Sequence, residues 1–369
     1  MIERLLIEKE AKPHPMTERI LSKLRDRLAL VPSEPGLDDL DKGTLRLVSY
    51  PGEFLKPCPG TKSYICCGYQ ILNVGTNCPL DCSYCILQAY FNRPSLRVFV
   101  NLEQKLEEIG SYLDQHKNRL FRLGTGEFTD SLALDPYTEW SRFLPGFIRE
   151  RRNALLEFKT KTLQIQGLLA SEFRERIVVS WSLNSPFIAA REEHGAPGIR
   201  KRLEAARACQ KEGFIVGFHF DPIIQHPEWK KHYCETIEMM EQMIDPARVI
   251  WVSLGCFRFM PGLKPLIRKR HQGSPILDGE FVPGLDGKMR YFKPIRLELY
   301  RFIKQKLDRW SDDLGLYFCM ESDEIWQRAM GWSPGDSGGL SRYLDMRAMK
   351  FFPELKNTVT QEIGAPEGI

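Results

Sequence analysis

The sequence has no run of apolar residues approaching the roughly 18–20 that a membrane-spanning helix needs, so no membrane partner is expected. Its opening stretch, MIERLLIEKEAKPHP, sets charges among the apolar positions and offers no small-residue cleavage site, so no secretory signal is expected either. Together these lead to the expectation of a soluble, cytoplasmic protein. Internal repeats and low-complexity tracts are missing. Only one Cys-x-x-Cys unit occurs, whereas zinc sites usually pair two. The net charge of +4 is too small to mark the whole chain as a polyanion binder.

What is present is enough apolar surface for a sizeable core. Hydrophobic residues make up 43% of the 369 and charged residues 27%, a globular and not a disordered balance. Six of the ten cysteines fall between Cys58 and Cys85. Thiols serving only as core residues would scatter, and in a chain of this size clustering points to metal binding or catalysis. Charge is also uneven. Between Arg258 and Arg309 thirteen Lys/Arg face five Asp/Glu. Such a stretch is either an ordinary solvated face or a surface that attracts a polyanion.

From Tyr69 onward, short apolar runs alternate with helix-period segments. The runs YQILNV (69–74), LFRLGT (120–125), LLEFKT (155–160), IVVSWSL (177–183), FIVGFHF (214–220) and VIWVSLG (249–255) read as six strands. Residues 102–113, 199–213 and 228–244 read as helices between them. Alternation of this kind predicts a parallel sheet, and six units predict an α/β fold with a partial (β/α)6 TIM-like barrel. Ligands in such folds sit past the C-terminal ends of the strands. The barrel is expected over 66–262. An irregular, Pro-rich N-terminal extension (1–65) with a helix from Thr17 to about Leu30 is expected before it. An α+β appendage (263–369) with a hairpin near LDGKMRYF (285–292), a helix from Ile295 to Trp310 and a strand-like LYFCM (316–320) is expected after it.

The first predicted strand is followed by Cys78-Pro-Leu-Asp-Cys82-Ser-Tyr-Cys85. Three thiolates on one short loop can hold one face of a metal centre and leave an open coordination position, as catalytic sites require. Thiolates favour iron–sulfur or zinc over harder metals. A zinc knot with a distant fourth ligand, or three unrelated thiols, remain alternatives.

The pattern Cys-x-x-x-Cys-x-aromatic-Cys resembles the radical S-adenosylmethionine (SAM) superfamily. Within it the chain looks like the spore photoproduct lyase family of DNA repair enzymes, from about Lys56 to Asp308. The likeness includes Leu87-Gln88, Arg122, Asp130, Lys161, Ser182 to Ser185, Arg202 to Arg207, Gly217-Phe218, Pro222-Ile223 and Arg258-Phe259. It implies a 4Fe–4S cluster on Cys78, Cys82 and Cys85, and SAM bound at its open iron. One electron, supplied by a protein such as flavodoxin or ferredoxin, then cleaves SAM to methionine and a 5′-deoxyadenosyl radical. That radical takes a hydrogen from a thymine-dimer lesion, and a cysteine thiol returns one. The likeness also implies SAM contacts from the Gly124-Thr125-Gly126-Glu127 turn and from Thr129, Lys161 and Ser182. Glycine admits close backbone approach, and carboxylate, ammonium and hydroxyl groups suit the ligand's amino, carboxylate and hydroxyl groups.

Two departures stand out. Glu127 occupies the place where the lyase keeps its hydrogen-donor cysteine, and Ile86 stands where the lyase has a tyrosine, while Tyr84 is retained. A carboxylate is no substitute for a thiol, so the donor has moved or the reaction differs. Cys256, after the sixth strand, and Cys319, at the end of a tail strand, are the candidate catalytic thiols beside Tyr84. Cys58, Cys66 and Cys67 are further thiols, and the last two could belong to a second metal centre. Lys288, Arg290 and Lys293 are expected to meet phosphates, and Tyr291 or Phe292 to stack on a base. Competing readings are a radical SAM enzyme with a non-DNA substrate, and a zinc- or cluster-stabilised nucleic-acid-binding protein without catalysis.

Overall fold

The computed structural model describes residues 2–24, 29–31, 41–61 and 63–356. All six expected barrel strands form: Gln70–Leu72, Phe121–Gly124, Ala154–Thr160, Ile177–Ser182, Ile215–Ile223 and Val249–Cys256. They lie in one sheet in chain order, each parallel to the next. The central strands are buried on both faces, with Leu155, Phe158, Val179, Trp181 and Phe218 fully covered. That is why they read as continuous apolar runs and not as alternating ones. Among the described residues no helix is long and apolar enough to cross a membrane.

The sheet is larger than expected at both edges. Leu316–Phe318, from the segment expected as an appendage, is a seventh parallel strand on Val249–Cys256. Leu55–Pro57, from the expected extension, pairs antiparallel with Gln70–Leu72 at the other edge. Neither edge respects the boundaries at 65 and 262: the strand-like 316–320 segment joins the barrel sheet and not an appendage, and Leu55–Pro57 is too short and polar to show a period.

The N-terminal segment is not irregular. It forms a second sheet in the order Ala29–Val31, Arg4–Ile7, Thr44–Val48, Leu96–Phe99, Gly75–Thr76. Its helix spans Pro15–Leu24; residues 25–28 lie outside the described residues, and Leu30 is in a strand. The basic region holds an unforeseen helix, Leu263–Arg270, and the expected hairpin, with strands Phe281–Pro283 and Met289–Tyr291 and Arg258–Phe259 as a third strand.

Candidate active site

The cysteine loop starts from the junction of the two sheets. After the first barrel strand the chain crosses to the second sheet as Gly75–Thr76, antiparallel to Leu96–Phe99. A Cβ on Gly75 would stand 2.2 Å from the Arg97 carbonyl oxygen, so only glycine fits. The chain then turns through Asn77 and Asp81, both in left-handed backbone (φ 67° and 46°). The Asn77 amide donates to the carbonyls of Arg93 (2.7 Å) and Ser95 (2.9 Å). Lys42 and Arg270 both reach Asp81 at 2.7 Å. Burial would raise the Asp81 carboxyl, but these two cations outweigh it and hold it at about 2.

A buried acidic pair fixes the other side of the loop. Ser83 N–H donates to the Glu192 carbonyl at 2.8 Å, and the Ser83 hydroxyl to its carboxylate. The Tyr84 hydroxyl donates to the Glu193 carboxylate, which also pairs with Arg202; both partners of that ion pair are fully buried. Arg202 in turn donates to the Ser182 carbonyl at 2.9 Å. One buried ion pair therefore ties the cysteine loop to the end of the fourth strand.

Past the C-terminal ends of the strands lies a cavity of about 690 Å³. Cys78, Cys82, Tyr84 and Cys85 form one wall. Gly126, Glu127 and Thr129 after the second strand, Lys161 after the third, Ser182 at the fourth and Lys288 on the hairpin also line it. Asp130 organises this side. Its carboxylate accepts from Leu132 and Ala133 N–H, from the Thr160 hydroxyl and from Lys161 N–H at 2.7–3.0 Å. The Lys161 ammonium stands 5.7 Å from the centre of the Tyr84 ring.

Sequence reasoning missed Lys159 and Asp221, which also line the cavity. Lys159 sits 3.8 Å from Glu127. Burial would lower its ammonium, but Glu127, Glu157 and Asp221 together raise it above the usual lysine range. Asp221 pairs with Arg258. Both stand at the ends of predicted strands, so the strand-end placement that Lys161 satisfies would have pointed to them too.

Several expected residues stand elsewhere. Gly124 does not line the cavity; a Cβ there would lie 1.4 Å from the Tyr69 hydroxyl, so glycine is required by packing against that ring. Cys256 is buried inside the sixth strand, its N–H donating to the Tyr300 hydroxyl, and is not in the cavity wall. Cys319 directly follows the seventh strand, and Arg258 Nη2 donates to its Sγ at 3.7 Å. Tyr291 cannot stack on a base. It is 1% exposed, packs on Phe281, and accepts from Gln225 N–H. Arg290 cannot meet phosphate as placed: it is 2% exposed, pairs with Asp286 at 2.8 Å and lies over Tyr64. Lys293 is at the surface, paired with Glu324. Tyr291 turns inward because Phe257, Phe259 and Phe281 form the hairpin's apolar underside.

Among the described residues, no three His, Cys, Asp or Glu side chains converge on a position for a single metal ion. A four-iron cluster binds each thiolate at a different iron, so three spread sulfurs facing an open cavity suit it. The soft donor set does too.

Residues 62–279 match the protein family described as "Spore photoproduct lyase". The chain belongs to the spore photoproduct lyase family. The spore photoproduct lyase of Clostridium acetobutylicum is 23% identical over 252 residues, 64% of this chain and 73% of that protein. Two solved structures share the fold. Spore photoproduct lyase complexed with dinucleoside spore photoproduct has a TM-score of 0.77 at 21% identity, covering 86% of this chain and 99% of that one. A mutant of it with bound AdoMet and dinucleoside spore photoproduct has a TM-score of 0.76 at 21% identity, covering 87% and 99%. The family's enzymes are radical SAM lyases that use a 4Fe–4S cluster and SAM.

Proposed function

We propose that this protein holds a 4Fe–4S cluster on Cys78, Cys82 and Cys85 and repairs a pyrimidine lesion in DNA. The observation that carries this reading is the cysteine loop, clamped by Glu192 and Glu193 against a cavity that also presents Lys161, Thr129 and Ser182. When bound, cluster and SAM supply a 5′-deoxyadenosyl radical that abstracts a substrate hydrogen. The chain's own residues orient and shield. Lys161 neutralises the methionine carboxylate, its backbone fixed by Asp130. The Thr129 and Ser182 hydroxyls offer hydrogen bonds to carboxylate or ribose. Tyr84 is anchored through its hydroxyl on Glu193, so its ring is a fixed wall behind Lys161.

The lesion occupies the opposite side, toward Lys159, Asp221, Arg258 and Met320. The relatives crystallised with dinucleoside spore photoproduct support a dinucleotide-sized lesion there. A lesion inside a duplex is flipped out to reach a barrel mouth. Phosphates beside it meet the exposed Arg268 and Lys269, in the last turn of the helix Leu263–Arg270 beside the cavity-lining Met260 and Gly262. The electron comes from a flavodoxin- or ferredoxin-type donor.

The test is anaerobic reconstitution with iron, sulfide, SAM and reductant, then incubation with UV-irradiated DNA. Release of 5′-deoxyadenosine with loss of the lesion is expected, and DNA binding should weaken steeply with salt. The Glu127–Lys159 pair, standing where the lyase has its thiol, favours a second reading with another substrate. That reading predicts 5′-deoxyadenosine release with the lesion untouched.

A further inference from the structure

We propose that Cys319 is the thiol that returns a hydrogen atom to the product radical. This rests on the radical SAM reading above, and the ligand concerned is the substrate of that same cavity. A carbon radical left after hydrogen abstraction is quenched by a weak X–H bond in reach, and among protein side chains the weak ones are a thiol S–H and a phenol O–H. The triplet cysteines are committed to the cluster. The Tyr84 hydroxyl is committed to Glu193.

Four observations place Cys319. It is the first residue past the seventh parallel strand, the position at which barrel folds present reactive groups. Its N–H is held by the Leu254 carbonyl at 3.1 Å, and its Sγ accepts from Arg258 Nη2 at 3.7 Å. Arg258 and the adjacent Met320 both line the cavity. Met320 has left-handed backbone (φ 56°), which a non-glycine residue adopts only when its surroundings impose it. Those surroundings are Arg290, donating to the Met320 carbonyl at 3.0 Å, and Lys288, 3.6 Å from its sulfur. The hairpin thus holds Met320 in the cavity wall, with the half-buried Cys319 one residue behind it and not itself in the wall. Burial, opposed by Arg258, keeps the Cys319 group as S–H at neutral pH, the form that can give a hydrogen atom.

The step balances simply. The Cys319 S–H bond breaks homolytically and a C–H bond forms on the product, leaving a thiyl radical on Cys319. The thiyl regains one electron from the iron–sulfur or flavin reductant that already feeds the cluster, and one proton from solvent. The donor would then act from the seventh strand, across the barrel mouth from Glu127 on the second. Cys58 is the rival. It precedes the cavity-lining Pro59 and Gly60, and burial keeps its thiol as S–H too, but it follows the antiparallel edge strand and not a parallel one.

The test compares the reconstituted wild type with Cys319→Ala, Cys319→Ser, Cys58→Ala and Cys256→Ala in deuterated water. Thiol hydrogens exchange, so wild-type product should carry one solvent deuterium. Both Cys319 variants should still release 5′-deoxyadenosine, while repaired product per 5′-deoxyadenosine falls by about tenfold or more. Cys58→Ala and Cys256→Ala should stay coupled. Coupled, deuterated turnover by the Cys319 variants, or uncoupling in Cys58→Ala alone, would overturn the assignment. A second arm needs no cofactor. In the folded, cluster-free protein, a brief hydroxyl-radical pulse, which oxidises a thiol whether or not it is ionised, followed by peptide mass spectrometry should label Cys319 and spare Cys256. Labelling of Cys319 only after denaturation would refute its place at the cavity. If wild type leaves every lesion untouched, the substrate reading fails, and the labelling arm alone decides on Cys319.

Discussion

Arg258 holds Asp221 with both arms of its guanidinium, Nη1 to Oδ1 at 3.2 Å and Nη2 to Oδ2 at 3.1 Å, joining the ends of the sixth and fifth barrel strands. Arg258→Ala would leave a largely covered carboxylate without its partner, at a cost of about 2 kcal/mol. Arg258→Lys should recover only part of this, because an ammonium offers one contact point and not a fork. Urea denaturation of Arg258→Ala, Arg258→Lys, Asp221→Asn and the Arg258→Ala/Asp221→Asn double variant measures it, and the double should cost less than the sum of its two singles.

The Glu193–Arg202 pair is the more consequential one, since both side chains are fully buried and the pair braces the cysteine loop. Arg202→Met should destabilise by roughly 3–5 kcal/mol, the cost of stranding a buried charge. It should also lower the iron retained per chain after reconstitution. Retained iron at the wild-type level would show that the loop keeps its shape without this brace.

Gly124→Ala should cost about 2 kcal/mol or more in thermal or urea unfolding, because the new Cβ meets the Tyr69 hydroxyl at 1.4 Å and the ring must move. Adding Tyr69→Ala should make the alanine at 124 tolerable, so that the glycine's effect shrinks in that background. An undiminished effect would mean that Gly124 is needed for something other than the ring.

Acid should weaken the protein through His226. The ring stacks on Phe187 and His232 with centroids 4.9 and 5.3 Å away. Burial, together with the neighbouring His232 charge, lowers it from 6.5 to about 4 against the Ile224 carbonyl, which pulls the other way. The native state therefore binds fewer protons than the unfolded one. This contribution to stability is intact above about pH 6.5 and is lost as pH falls toward about 4. The melting temperature should drop across that window by on the order of 5 °C. His226→Gln should flatten the dependence there, and an unchanged slope would assign the titration to another group.

Much of the barrel was legible because most of its strands are long and predominantly apolar. Ala154–Thr160 and Val249–Cys256 could hardly be anything but buried strands. The edges were less legible. The 316–320 segment read as a strand, but not as one that joins the barrel sheet, and Leu55–Pro57 takes its strand character from the neighbour it pairs with. The N-terminal sheet escaped because its short strands are scattered between residues 4 and 99 and pair across long gaps in sequence.

At the site, the sequence by itself determined which chemistry the chain carries. Three thiols at that spacing, Lys161 after a strand and a carboxylate at 127 are statements of residue type and order, and these survive without coordinates. Tertiary structure alone decided what faces the cavity. Tyr291 and Arg290 look like a nucleic-acid contact in the sequence, yet the hairpin folds them inward onto Phe281, Asp286 and Tyr64. Cys256 and Cys319 were equal candidates until the seventh strand left one buried in the sheet and put the other beside Arg258. Which way a side chain points at a short edge strand or a tight turn depends on contacts made by residues far apart in the chain, and no local pattern encodes it.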